Sequence, residues 1–145
     1  MNLRGRVDRI YEAVQMVNQV YEDWSLRHGI TLYEMQVYYI ILGEKGASIT
    51  QRELCEKLDA PKTSINSIIK KQLSRGYIQM TPNPQDRREK IISLTQSGEK
   101  FAKDLIVPLF EYEEETVRQF SEDEFESAVN LQVKFAQDLR KRTEK

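Results

Sequence analysis

The chain has 145 residues, of which 39% are hydrophobic and 31% are charged, values typical of a single helical domain. Its one cysteine excludes an intramolecular disulfide, and no segment approaches the roughly 20 apolar residues that a membrane helix needs. The first residues also lack the apolar run of a signal peptide, so we expect a cytoplasmic protein without a membrane partner.

The net charge of −1 conceals an uneven distribution of charge along the chain. Residues 60–90 contain seven basic and two acidic residues, whereas residues 101–145 contain seven basic and eleven acidic residues. This segregation favours phosphate binding at one surface and opposes it elsewhere. A solvated charged face is the alternative, and the charges alone do not decide between the two.

Two amphipathic helices are predicted first. Apolar side chains at spacings of three and four predict a helix from about Arg6 to Arg27, and Gly29 ends it. Thr31 and Glu34 have the spacing of a capping box and begin a second helix, which ends near Gly43.

The middle of the chain predicts two helices separated by a proline-marked turn. Residues 47–49 are short and extended, and Thr50, with Glu53 three residues later, caps a third helix. Pro61 is predicted in the first turn of a fourth helix that runs to about Ser74, because a proline there loses no helical hydrogen bond.

A β-hairpin follows, with strands over Tyr77–Thr81 and Lys90–Leu94 and a charged tip between them. Thr95 is expected to cap a fifth helix that reaches about Phe120, with a bend at Pro108. Ser121 begins a last helix that runs to about residue 142. The predicted class is mainly α with a small β wing: two helices joined by a turn and followed by a hairpin outline a winged helix-turn-helix.

The fourth helix has one apolar arc, formed by Ile65, Ile68, Ile69 and Leu73 at 100° per residue. Its other side carries short polar groups and lysines, and no acidic residue occurs between positions 60 and 85. Such groups can reach base edges and phosphates in a major groove, whereas carboxylates would be repelled. An ordinary amphipathic helix that lacks acids is the alternative. The predicted DNA contacts here are Lys62, Thr63, Ser64, Asn66, Ser67, Lys70 and Lys71.

The hairpin tip and the start of the third helix supply further candidates for DNA contact. Arg87 and Arg88 could enter a neighbouring minor groove, with Asp86 directing one of them, although a solvated turn has the same composition. Thr50 and Gln51 could bind a backbone phosphate at the start of the third helix, or could serve only as capping residues.

The stretch from about Thr31 to Gly98 resembles the MarR family of bacterial regulators. The wing sequence Asn83-Pro84-Gln85-Asp86-Arg87-Arg88, followed by Ile92-Ser93-Leu94-Thr95 and Gly98, is similar to the family pattern of a proline, Asp-x-Arg, an apolar strand and Leu-Thr-x-x-Gly. Ser121 to Glu124 resembles the usual entry to the family's last helix.

The resemblance implies a single MarR-type domain over residues 1–145. A DNA-binding lobe would cover about residues 31–98, and dimerisation helices about residues 6–27 and 99–142. It implies a homodimer that represses genes from a pseudo-palindromic operator in double-stranded DNA, with the fourth helix as recognition helix and Arg88 in the wing. A winged-helix module that binds protein, and a DNA-binding protein without an effector, remain the alternatives.

Two positions depart from the family pattern. Gln72 stands where an apolar residue is usual, four positions before the glycine that ends the recognition helix. The first helix has no cysteine, although thiol-sensing members usually carry one there. Cys55 lies at an apolar position of the third helix, where we expect a buried and inert thiol.

Aromatic residues concentrate in the first two helices, where the family often holds its effectors. Trp24, His28, Tyr38 and Tyr39 are therefore the candidates for binding a small aromatic effector, although such a stripe also suits a hydrophobic core. One histidine, one cysteine and no glycine-rich phosphate loop leave no catalytic triad, metal cluster or nucleotide site. We expect neither an enzyme nor a metal or cofactor.

Overall fold

Helices dominate residues 2–145, the part of the chain that the computed structural model describes. The chain divides into two compact units, Met1–Val107 and Pro108–Lys145. The predicted class, mainly α with a small β wing, is confirmed. In chain order the elements are α1 (Leu3–Arg27), α2 (Leu32–Gly43), a 3₁₀ turn (Lys45–Ala47), β1 (Ser48–Thr50), α3 (Gln51–Lys57), α4 (Lys62–Ser74), β2 (Ile78–Pro82), β3 (Lys90–Leu94), α5 (Gln96–Val117) and α6 (Glu122–Thr143).

Polar side chains cap the N-termini of the helices other than α4. The three predicted capping boxes are confirmed: in each, a hydroxyl accepts the N–H three residues later, and the glutamate there accepts the cap's own N–H. They are Thr31 with Glu34, Thr50 with Glu53, and Ser121 with Glu124.

Three predicted helix boundaries differ from the structure by one to three residues. The first helix begins at Leu3 and not near Arg6, because the Asn2 side chain accepts the Gly5 N–H and caps the chain before the apolar pattern starts. Pro61 is extended and is the N-cap of α4, one position before the predicted first turn. The fifth helix ends at Val117 and not near Phe120.

The wing is a three-stranded antiparallel sheet in the order β1-β3-β2. Ile49 of β1 pairs with Ile92 of β3, and Met80 of β2 pairs with the same residue from the other side. Ile92 is fully buried. The sequence predicted the hairpin, with its first strand one residue too early, but it did not predict that residues 48–50 pair with β3.

The apolar arc of α4 is only partly as predicted. Ile65 and Ile69 are buried, but Leu73 remains 37% exposed and Gln72 is fully buried in its place. The Gln72 side chain can be buried because its amide oxygen accepts the Tyr38 hydroxyl at 2.6 Å and its amide nitrogen donates to Glu34. The buried face of α4 therefore contains Gln72, which forms hydrogen bonds, at the place where the sequence predicted the apolar side chain of Leu73.

A tight joint connects the end of α4 with the start of α5. The Tyr77 carbonyl accepts the Thr95 N–H at 3.1 Å, and the Tyr77 ring stacks on Phe101 with centroids 4.5 Å apart. The Thr95 hydroxyl donates to the Gly76 carbonyl and accepts the Gly98 N–H, so it also caps α5 as predicted. Gly98 lies directly against the Tyr77 backbone.

Within residues 2–145, none of the helices combines the length and the apolar character needed to cross a bilayer.

Candidate nucleic-acid interface

Four of the predicted DNA contacts line one groove. It has a volume of about 630 Å³ and runs between α3, the first turns of α4 and the base of the wing. Gln51, Lys62, Asn66 and Arg88 lie in its walls, together with Arg52 and Lys90, which the sequence analysis did not select. Four of these six side chains are cationic, and Glu56 and Glu89 also line the groove, so its walls carry an excess of two positive charges.

The exposed side of α4 adds a polar stripe, which we define as Thr63, Ser67, Lys70 and Ser74. The steps between them are four, three and four residues, so they lie on one helical face, and all are exposed. Ser67 donates its hydroxyl to the Thr63 carbonyl at 3.1 Å, which leaves the hydroxyl oxygen able to accept a hydrogen bond. Ser64 lies beside this face and is half-buried.

The start of α3 is tied to α4 by side chains. Gln51 donates its amide to the Asn66 amide oxygen at 2.9 Å. Thr50 accepts the Glu53 N–H at 3.1 Å, so its hydroxyl oxygen serves the cap. This hydrogen bond between Gln51 and Asn66 holds both amides at the wall of the groove and connects α3 to α4.

The wing tip is ordered by its own polar groups. Asp86 accepts the Arg88 N–H at 3.1 Å and the Arg88 Nε at 3.2 Å. The Arg88 side-chain hydrogen bond, followed by its backbone hydrogen bond, lowers the pKa of Asp86 below its ordinary value. The Arg88 side chain is nevertheless 92% exposed. Asp86 therefore orients the Arg88 guanidinium and leaves it accessible to a ligand. Arg87 is also exposed.

One ion pair between α3 and the wing was missed by sequence reasoning. Arg52 Nε lies 2.7 Å from Glu89 Oε1, and Glu89 Oε2 accepts the Asn83 amide at 3.1 Å. Glu89 therefore connects both sides of the wing tip to the helix-turn-helix. The two partners of the ion pair are 37 positions apart, and no local pattern relates them.

Lys71 differs from the other lysine predicted beside it. Lys70 is exposed on the stripe, whereas Lys71 Nζ lies 2.8 Å from a carboxylate oxygen of Glu34, which is 2% exposed. Burial acts to raise the pKa of Glu34, but hydrogen bonds from Lys71 and the Thr31 N–H and the nearby cations outweigh it, so the pKa lies below its ordinary value. The Lys71 ammonium is thus paired with a buried carboxylate, although the Lys71 side chain is itself 52% exposed.

The four predicted effector residues do not form one site. Tyr38 is fully buried, with its ring edge against Phe101 and its hydroxyl on Gln72, and burial raises its pKa. It belongs to the core. Trp24 donates its indole N–H to the Leu105 carbonyl, and its ring lies 4.6 Å from that of His28.

Tyr39 instead lines a separate cavity of about 550 Å³ between α1, α2 and the end of α3. Tyr21 and Tyr33, which were not selected from the sequence, line the same cavity.

Cys55 is partly exposed and lines the groove described above, contrary to the expectation of a buried thiol. It faces outward because Leu54 and Leu58, at the neighbouring helical positions, take the buried face of α3. Among residues 2–145, no group of three or more His, Cys, Asp or Glu side chains is arranged to hold a metal ion.

Comparison with known protein sequences finds similarity to transcriptional regulators. A sequence model described as the MarR family matches residues 28–89. An uncharacterized HTH-type transcriptional regulator of Bacillus subtilis, YwoH, is 28% identical over 89 residues, a match that spans 61% of this chain and 64% of that protein, less than two thirds of its length.

Two solved structures share the fold. NMB1585, a MarR family regulator from Neisseria meningitidis, has a TM-score of 0.74 at 22% identity, with 99% of this chain and 96% of that chain covered. The S. aureus MepR–DNA complex has a TM-score of 0.70 at 20% identity, with 88% and 96% covered.

Proposed function

We propose that the chain is a MarR-family transcriptional regulator and that it acts as a homodimeric repressor on operator sites in double-stranded DNA. One observation carries the proposal: the acid-free exposed face of α4 lies beside a groove of net positive charge that Arg88 of the wing also lines. The structural likeness to MepR, a protein solved in complex with DNA, supports the same arrangement.

In this arrangement, the stripe of α4 reads base edges in the major groove. Threonine and serine hydroxyls and the Asn66 amide supply donors and acceptors, and Lys62 and Lys70 reach phosphates. Pro61 offers no side-chain cap to the first N–H groups of α4, so these groups and the helix dipole favour a phosphate at that end. Arg88 enters the adjacent minor groove from the wing.

A mobility-shift experiment tests DNA binding directly. The full chain is titrated against the DNA upstream of its own gene and against a scrambled duplex of equal length. We expect preference for the upstream DNA and an affinity that falls linearly with salt on logarithmic axes. Equal binding to both duplexes, or no binding at low salt, would contradict the proposed function.

Exposed apolar side chains support the homodimer. On α6, Phe125, Val129 and Val133 repeat every four residues and are 42%, 40% and 48% exposed. On α1, Val14 and Val17 are 39% and 57% exposed. Both helices therefore present apolar side chains to water, and a second copy of the chain is the partner that we propose for them.

The Val129→Glu variant is expected to be monomeric, because dimerisation would bury two unpaired carboxylates, one from each copy. Light scattering coupled to size-exclusion chromatography measures the mass. Ser127→Glu, which adds the same charge at an exposed polar position on the opposite side of α6, is the control and should remain dimeric. A dimeric Val129→Glu protein would show that this stripe lies outside the interface.

We also propose that a small aromatic compound releases the protein from DNA by entering the cavity at Tyr39. Its volume of about 550 Å³ lies within the range of roughly 300–1,000 Å³ that is usual for ligand sites. Three tyrosines can stack on an aromatic ring, Asn18 and Asp59 can accept a phenol hydroxyl, and Lys57 can pair with a ligand carboxylate. Lys57 also forms an ion pair with Glu44.

Tyr39→Ala is expected to abolish the saturable calorimetric heat of a phenol or 4-hydroxybenzoate titration, whereas Tyr39→Phe should retain it because the aromatic wall remains. Calorimetry is preferable to tryptophan fluorescence because Trp24 is not among the residues that line the cavity. If the parent gives no saturable heat with either compound, or if the compounds leave DNA affinity unchanged, this effector site is wrong.

A further inference from the structure

One buried carboxylate ties the last turn of α4 to α2. Glu34 is 2% exposed, and its Oε1 accepts the Lys71 ammonium at 2.8 Å and the Gln72 amide at 3.2 Å. Arg75 Nη1 lies 3.9 Å from the same oxygen. The other oxygen, Oε2, accepts the Thr31 N–H at 2.9 Å and thereby belongs to the cap of α2. Both oxygens are therefore held, one by each helix.

The hydrogen bonds of Gln72, beside Glu34, can form in only one rotation of α4 about its axis. Gln72 is fully buried, and its amide oxygen accepts the Tyr38 hydroxyl of α2 at 2.6 Å. Among the described residues, no buried side-chain nitrogen or oxygen lacks a hydrogen-bond partner. A rotation of α4 would break these bonds and leave a carboxylate and an amide buried without partners, which costs far more than the same shift between apolar side chains.

We propose that Glu34 is a positioning residue for DNA recognition: it fixes the rotation of α4 about its axis and so aims the stripe at the base edges. This inference rests on the proposed role of α4 in DNA binding. It assigns Lys71 to Glu34 and not to a phosphate, which revises the prediction from the sequence. Sequence selectivity, and not general affinity for DNA, is the property that the Glu34 contacts control.

The Glu34→Gln variant tests the proposal. Glutamine keeps an oxygen that can accept the Thr31 N–H and removes the charge that holds Lys71 and Arg75. A duplex selected in vitro with the parent is compared with a scrambled duplex of the same composition. We expect affinity for the selected duplex to fall about tenfold, the loss of one good base contact, while affinity for the scrambled duplex changes by less than about twofold.

Glu22→Gln is the matched control, because it removes the same charge from an exposed position of α1. It should leave the ratio of the two affinities unchanged. Loss of affinity for both duplexes to the same extent in Glu34→Gln would indicate a merely structural role and overturn the proposal, as would an unchanged ratio.

Lys71→Met distinguishes the two roles of this lysine. If Lys71 serves Glu34, its substitution lowers the affinity ratio, and the double variant with Glu34→Gln is no worse than the single variants. If Lys71 binds a phosphate, the substitution weakens both duplexes alike and lowers the salt dependence, and its effect adds to that of Glu34→Gln. The second outcome overturns the proposal.

Hydrogen exchange provides a measurement that needs no DNA. In Glu34→Gln, amides of residues 71–76 should exchange faster while those of residues 65–69 keep their protection. Unchanged exchange, or a uniform rise over the whole of α4, would overturn the positioning role. Should the parent select no duplex, the proposed function fails on that result, and the exchange pattern still decides whether Glu34 holds the end of α4.

Discussion

The Gly98→Ala variant is expected to lose about 2 kcal/mol of unfolding free energy, because an overpacking cost of about 3 kcal/mol is only partly offset. A Cβ at residue 98 would lie 1.7 Å from the Tyr77 carbonyl oxygen and 2.5 Å from the carbonyl carbon. These are backbone atoms, so no side-chain rotation can relieve the clash. Alanine's better helix propensity, about 1 kcal/mol, offsets only part of the cost.

Tyr77 cannot move away without breaking the joint between α4 and α5. Its N–H donates to the Gln72 carbonyl, its carbonyl accepts the Thr95 N–H, and its ring stacks on Phe101. Displacing Tyr77 would therefore disturb the end of the recognition helix and the start of α5 together. We expect the variant to lose DNA binding as well as stability.

Urea unfolding at one fixed protein concentration measures the effect, because the stability of a dimer depends on concentration. Gly43→Ala is the control: residue 43 ends α2, and a Cβ there would meet no atom within 4 Å. That variant should be as stable as the parent or about 0.5 kcal/mol more stable. If Gly98→Ala unfolds at the same urea concentration as the parent, the close approach to Tyr77 is wrong.

The elements with local signals were predictable from the sequence. Capping boxes at Thr31, Thr50 and Ser121 act over three residues, and the turn-forming residues between the two strands predict the hairpin. The sequence also placed Gly98 in a family pattern, but it did not explain the glycine. The reason lies 21 positions away, in the Tyr77 carbonyl.

Features that depend on distant partners could not be predicted. Helical periodicity placed Leu73 inside, because hydropathy alone cannot anticipate that the Tyr38 hydroxyl and Glu34 would satisfy a buried Gln72. The same limit applies to Lys71, whose partner is on another helix, and to the pairing of β1 with β3. In each case a polar or backbone partner far along the chain decides the position.

The proposed interface makes Lys70→Glu the most damaging single substitution on the stripe of α4. Lys70 is exposed there, so the change should leave folding intact while it removes one phosphate contact from each subunit and places a carboxylate near the phosphates. We expect DNA affinity to fall about 100-fold at physiological salt and the salt slope to decrease by about two, one contact for each copy of the homodimer.

Two controls make this result specific to the interface. Lys134→Glu makes the same charge reversal on an exposed position of α6, so a general effect of net charge would weaken binding in both variants. Thermal unfolding should give equal midpoints for Lys70→Glu and the parent. Equal loss of affinity in both charge variants would mean that DNA responds to the overall field of the protein. Loss in Lys70→Glu alone, with a shallower salt dependence, places the duplex on the acid-free face of α4, because only a residue in contact with phosphate changes the number of counterions released.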